Sequence, residues 1–259
     1  MVGHSLEAGI RRHAGAAESI GRRIVTGDIT PGTTLPNLDE LAVQFSISRL
    51  TMREAIKLLA GKGLVSSTPR RGTVVRPRNE WSSLDPDVLI WQIGEVPNAA
   101  FVRHLFELRR MIEPEAAAFA SDRATGDALA EIEGAFAQMA AADSRAPESI
   151  KADLAFHQAI LKATGNEFIA ALAPAIATSL MLAFTMQRGA WPDPASFVPS
   201  HGAILHAIER GDPDAARRAV YALLANAEAD AMAGLRVLSA NGDGAKAASR
   251  RRVKPGATS

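Results

Sequence analysis

Cysteine is absent from this chain. That excludes a disulfide framework and any thiolate metal site, and it fits a reducing cytoplasm. The first 30 residues carry no apolar run behind their charges, so no secretory signal is expected. Strand-like alternation is nearly missing beyond residue 86, which excludes a large sheet in the second half. The middle of the chain is also poor in positive charge. Residues 81–235 hold 11 Lys/Arg against 20 Asp/Glu, a net of −9, and do not suit a polyanion. Residues 1–80 hold 12 against 7 and residues 236–259 hold 6 against 1, each a net of +5. The N-terminal part is therefore the one suited to nucleic acid.

What is present there is a helix, a tight turn, a second helix and a basic hairpin within residues 37–75. Asn37 with Glu40 three residues on has the form of a capping box. Ser46, Ile47 and Ser48 read as the turn, with Ser48 capping the next helix. Met52, Ala55, Ile56 and Leu59 fall at i, i+3, i+4, i+7 and form a buried stripe. Arg49, Arg53 and Lys57 fall away from it, with Ser48 and Thr51 at the N-terminal end. A helix set into the major groove uses its first turns in this way. Arg70, Arg71 and Gly72 form the tip between two short strand patterns, where a basic loop reaches phosphate or the minor groove. The expected DNA-binding residues are Ser48, Arg49, Thr51, Arg53, Arg70, Arg71 and Gly72. An ordinary helical hairpin with a solvated basic face is the competing reading.

This stretch resembles the winged helix-turn-helix of the GntR family of bacterial transcription regulators. The resemblance rests on Leu35-Pro36, Glu40-Leu41-Ala42, Ser48-Arg49, Arg53-Glu54-Ala55, Gly63-Leu64-Val65 and Arg71-Gly72-Thr73. Family members usually carry a basic residue where Asp39 stands.

Helical periods dominate from Asp87 to Leu235, with candidate helices at 86–93, 98–124, 127–142, 147–163, 167–188, 194–210 and 213–235. Pro114 falls inside the second and is expected to kink it. Residues 168–186 hold no charge and are long enough to span a bilayer. Pro174 and many small side chains favour instead a helix buried on all sides of a bundle, and no membrane partner is expected. The fold class is mainly α: an N-terminal winged helix-turn-helix with a small β-hairpin wing, then an antiparallel bundle of six to seven helices. The divisions read as a basic tail at 1–13, the DNA-binding domain at 14–76, a linker at 77–86, the bundle at 87–238 and a disordered basic tail at 239–259.

In the bundle, Asp153 and His157 lie at i, i+4, and His201 begins another helical period. A carboxylate and imidazoles on facing helices suit a divalent transition metal such as zinc, manganese or nickel. Chance spacing of a solvated Asp and two histidines gives the same pattern. No general base or nucleophile stands beside the three, so the chain is not read as an enzyme, and a metal-dependent enzyme is the lesser alternative.

The second half resembles the all-helical ligand-binding (FCD) domain of the FadR subfamily of the same regulators. The matching residues are Leu108-Arg109, Glu113-Pro114-Glu115-Ala116, Asp153 with His157, Thr164-Gly165-Asn166, His201 with Ile204 and Ala207-Ile208, and Gly211-Asp212. The resemblance implies Asp153, His157 and His201 as metal ligands and Arg109 as the clamp on the carboxylate of a small organic acid. A surface ion pair with Glu113 at i+4 is the other reading of Arg109. A further family histidine in the last helix is Leu223 here, with Asn226 the nearest polar residue. Residues 77–91 are similar to the linker and first helix of sugar-acid-responsive members, which implies an effector such as D-galactonate. Trp191 then falls in the effector lid. The resemblance as a whole implies a cytoplasmic, nucleoid-associated homodimer on a palindromic operator, a repressor released by the acid. Sensing of another carboxylate, an acyl-CoA or the metal itself stays open.

Overall fold

The computed structural model describes residues 2–68, 70–92, 99–143, 146–186 and 194–252, and divides into two compact units, Met1–Glu95 and Val96–Ser259.

The first unit opens with α1 (Val2–Val25). The helix begins well before residue 14, where a tail was expected to end. Leu6, Glu7, Ala8, Arg11, Arg12 and Ala14 are good helix formers, and extending an existing helix costs little. Ile20 and Ile24 are buried, and Gly27 takes the left-handed conformation (φ 93°) just past the end. Next come α2 (Leu38–Gln44) and α3 (Arg49–Gly61). Asn37 Oδ1 accepts from the backbone N–H groups of Asp39 and Glu40 at 2.9 and 3.0 Å, and Glu40 Oε2 accepts from Asn37 N–H at 2.9 Å. The capping box is complete. Ser48 Oγ accepts from Thr51 N–H at 3.1 Å and starts α3. Met52, Ala55, Ile56 and Leu59 are all buried, so the stripe read from the sequence faces the core. The wing is β1 (Val65–Thr68) antiparallel to β2 (Gly72–Val75), with Val65 opposite Val75 and Thr68 opposite Gly72. Thr34 adds an isolated bridge to Val74.

Residues 77–86, read as a linker, pack on the first unit, which runs to Glu95. A short 3-10 turn (Arg78–Glu80) leads to α4 (Pro86–Gln92), which packs on α1. Trp81 donates its indole N–H to Arg76 O at 2.9 Å, and Arg78 donates to Val25 O at 3.2 Å. Lys62 Nζ lies 2.8 Å from Asp85 and 2.7 Å from Asp87. Trp91 fits because position 21 is glycine: a Cβ there would lie 2.3 Å from the indole ring. Trp81, Val88 and Trp91 therefore join the core of the first unit, a burial that the hydrophilic run 77–87 conceals in the sequence.

The second unit is a bundle of α5 (Ala99–Arg123), α6 (Gly126–Ala141), α7 (Pro147–Ala163), α8 (Glu167–Ala170), α9 (Ala173–Met186), α10 (Pro194–Glu209) and α11 (Pro213–Arg252). The principal neighbours are α5 with α11, α6 with α7, α10 with α11 and α7 with α9. Ala116, Ala117 and Ala120 are fully buried, which lets the helices approach closely. α5 runs on through the buried Pro114. The expected helix 167–188 is two. Proline at 174 has no N–H to give to Ala170 O, so the chain turns and α9 restarts there. Nor is α9 buried on all sides: Ile176 and Leu180 face the core while Met181 is exposed. α11 continues to Arg252, where disorder was expected from residue 239. Ala240, Ala245, Lys246, Ala247 and Ala248 carry a nucleated helix forward at little cost despite Gly242 and Gly244.

Candidate functional site

In the first unit the reading end of α3 is open. Arg49, Leu50 and Arg53 are exposed, and Leu50 retains 66% of its accessible surface. Ser48 and Thr51 close on each other, with Oγ and Oγ1 2.8 Å apart. Arg49 Nε is 3.2 Å from Asp39 Oδ1 on α2. Arg70, Arg71 and Gly72 are exposed at the wing tip, and both Arg70 (φ 71°) and Gly72 (φ 77°) are left-handed. Pro69 lies outside the described residues. The structure thus presents all seven DNA-binding candidates on the first unit.

In the second unit Asp153 and His157 of α7 meet His201 of α10. All three are buried, and one ligand atom from each lies within 4.8 Å of the others. His201 Nε2 is 2.8 Å and His157 Nε2 3.7 Å from Asp153 Oδ1. None of these three atoms has a hydrogen-bond partner, because even the 2.8 Å approach lacks hydrogen-bond geometry. Each imidazole is fixed through its other nitrogen. His201 Nδ1 lies 2.8 Å from Phe197 O, and His157 Nδ1 2.8 Å from Glu113 Oε2. A carbonyl and a carboxylate only accept, so both Nδ1 atoms donate, and in the neutral rings both Nε2 atoms present lone pairs. Phe156 packs edge-on against both rings and Phe197 against His201, which holds their planes.

Three acceptor atoms therefore converge in a buried place. That arrangement is unfavourable unless a cation joins them. Neutral imidazole nitrogens and one carboxylate oxygen suit a borderline divalent metal, and the Glu113–His157 contact is the outer partner that such ligands usually have. The residues fit the group.

Glu113, beneath His157, also holds Arg109: Nε donates to Oε1 at 2.6 Å and Nη2 to Oε2 at 3.4 Å. Burial opposes ionisation of Glu113, yet Arg109 and His157 together hold its pKa at about 2. Burial likewise opposes the charge on Asp153; when His201 and His157 each carry a second proton, they and Arg109 outweigh it and leave Asp153 below the usual carboxylate range. Arg109 is thus paired with Glu113, as the i+4 spacing allowed, but at 1% exposure rather than on the surface.

A cavity of about 70 Å³ opens beside this cluster. Arg109, Asp153, His157 and His201 line it together with Asn226 and Leu223 of α11. The walls also include Ser200 and Asp230, which the sequence reading missed. Asp230 lies one turn beyond Asn226, a spacing that was legible. Glu113 was expected at most as a surface partner of Arg109 at i+4; its contact with His157, from a different helix, had no signal in the sequence. Trp191 lies outside the described residues.

Two family models match this chain. "Bacterial regulatory proteins, gntR family" covers residues 13–75, and "FCD domain" covers residues 104–226. The chain is 35% identical over 210 residues to the uncharacterised HTH-type transcriptional regulator YieP of Escherichia coli K12, covering 80% of this chain and 90% of that one. It is 33% identical over 211 residues to the galactonate operon transcriptional repressor of the same organism, covering 80% and 91%. Among solved structures, that of Lar, which controls the expression of the Listeria monocytogenes agr system, aligns with a TM-score of 0.60 at 17% identity. That alignment covers 85% of this chain and 96% of the other, and supports the fold.

Proposed function

The chain belongs to the gntR family of bacterial regulatory proteins, and from that premise we propose that it is a repressor released from its operator by a sugar acid. Its families and relatives are transcriptional regulators, not enzymes. DNA binding belongs to the first unit. Two copies of α3 in a homodimer would enter successive major grooves, roughly 34–36 Å apart, on a palindromic operator. Arg49 and Arg53 meet base edges or phosphates, exposed Leu50 meets a thymine methyl, and Arg70 and Arg71 meet the backbone from the wing. Its place of action is the cytoplasm, on the nucleoid.

The observation that carries the effector reading is the convergence of Asp153 Oδ1, His157 Nε2 and His201 Nε2 on the wall of a cavity that Arg109 also lines. Those three atoms would hold zinc, manganese or nickel, and the metal would supply positive charge for a carboxylate. Arg109, oriented by Glu113, adds a second positive group. Asn226, Ser200 and Asp230 line the same cavity and offer partners for the hydroxyl groups of an aldonic acid. Leu223 supplies no ligand, so an oxygen of the effector or water would complete the coordination. A relative that is a galactonate operon repressor makes D-galactonate the first acid to try.

The acid releases DNA only through unequal affinity for the DNA-binding and non-binding states. Fluorescence anisotropy on DNA from the protein's own upstream region, titrated with D-galactonate in metal-loaded and chelator-treated protein, tests this. Release confined to the metal-loaded sample is expected. Tight binding indifferent to galactonate in both samples discards this effector and moves the search to other carboxylates. Release by metal alone, without acid, makes the protein a metal sensor.

A further inference from the structure

The contact between Asp39 and Arg49 joins two helices at the DNA-reading end. Asp39 Oδ1 lies 3.2 Å from Arg49 Nε, and both side chains are largely exposed, at 68% and 61%. Asp39 stands in the first turn of α2, yet the capping there is done by Asn37 and Glu40. Its carboxylate is thus left to Arg49, the first residue of α3.

A guanidinium is a flat fork of five N–H donors. With Nε drawn toward Asp39 as an ion pair at 3.2 Å, the two Nη groups lie at the far end of the fork and form the pair left for another acceptor. Guanine presents O6 and N7 side by side in the major groove, a match for two parallel donors. An exposed ion pair of this kind adds little to folding stability in water. Its effect rises when DNA displaces water, because the local dielectric falls. The carboxylate also repels phosphate, so it disfavours the swing of Arg49 onto the backbone, where no sequence is read.

We propose that Asp39 is a positioning residue that sets base specificity, holding Arg49 with its Nη pair toward a guanine in each half-site. The proposal rests on the DNA-binding reading above. The surrounding groups agree with it: Ser48 and Thr51 hydroxyls are closed on each other, and Lys57 pairs with Glu54 at 2.9 Å, so neither set draws Arg49 or Asp39 away.

The test is selection of duplexes from a randomised library by the full-length protein at one fixed salt concentration, with Arg49→Ala, Asp39→Ala and Asp39→Asn alongside. Affinity for non-specific DNA is measured in parallel. The unaltered protein is expected to enrich a palindrome with a guanine whose preference falls about tenfold or more in Arg49→Ala. Asp39→Ala should lower that same preference about threefold or more, at that position alone, while non-specific affinity stays equal or rises with the loss of a negative charge. Asp39→Asn keeps a polar oxygen beside Nε but removes the charge, so it should recover at most part of the preference. A merely structural role for Asp39 would weaken binding at every position alike. An enriched site at which Asp39→Ala matches the unaltered protein overturns the proposal and leaves DNA binding standing. Enrichment of no sequence by the unaltered protein overturns both.

Discussion

His157 stands between two acceptors: its Nδ1 donates to Glu113 Oε2 at 2.8 Å, and its Nε2 faces Asp153 Oδ1 at 3.7 Å without a hydrogen bond. One contact fixes the ring and the other leaves a lone pair directed into the cluster. Glu113 in turn is fixed by Arg109, so the chain of contacts runs Arg109, Glu113, His157 and then the three converging atoms.

Glu113→Gln tests that chain. The amide weakens the hold on the imidazole and on Arg109. Affinity for zinc or manganese should fall about 10- to 100-fold, as for loss of an outer partner of a metal ligand. Competition with a chromophoric chelator reads this directly, and unchanged affinity would show that Glu113 does not orient His157.

Metal should stabilise the second unit. A metal that binds only the folded chain contributes about 2.7 kcal/mol at one hundred times its dissociation constant. Differential scanning fluorimetry with zinc, manganese and nickel, against chelator-treated protein, should show a rise of several degrees. The rise should vanish in His157→Ala.

Arg109→Ala should be costly to folding as well as to effector response. It leaves Glu113 buried and without its cation, a loss of about 3–5 kcal/mol. Denaturant unfolding followed by circular dichroism measures it. A near-neutral result would mean that the buried pair does not persist in solution.

Lys62 gives a pH dependence in the first unit. Burial disfavours its charge, but hydrogen bonds from it to Asp85 and Asp87 outweigh this and raise its pKa above the ordinary value of 10.5. A pKa raised on folding means that the stabilisation is fully present below 10.5 and is lost as pH climbs through the folded value. Lys62→Met should therefore lower the unfolding midpoint at pH 7 by an amount equivalent to about 1–2 kcal/mol. The difference between the two proteins should shrink as pH rises past 10.5 through the folded value. A gap that stays constant across that range would assign the effect to packing on Trp91 instead.

The sequence by itself determined the parts that short-range interactions encode. The Asn37 capping box, the Met52–Leu59 stripe, the wing and most bundle helices depend on side chains three or four residues apart, and each was legible there. So was the i, i+4 relation of Asp153 to His157. Tertiary structure decided what distant segments do to one another. The polar run 77–87 gave no sign that Trp81 is drawn into the first core, and nothing local showed that Trp91 seats in the cleft that Gly21 leaves open. Pairing at i+4 permitted the Arg109–Glu113 contact but not its burial, which follows from the packing of α5 within the bundle. The approach of Asp39 to Arg49 and of His201 to Asp153 depends on how one helix crosses another, and spacing along a single helix carries no such information.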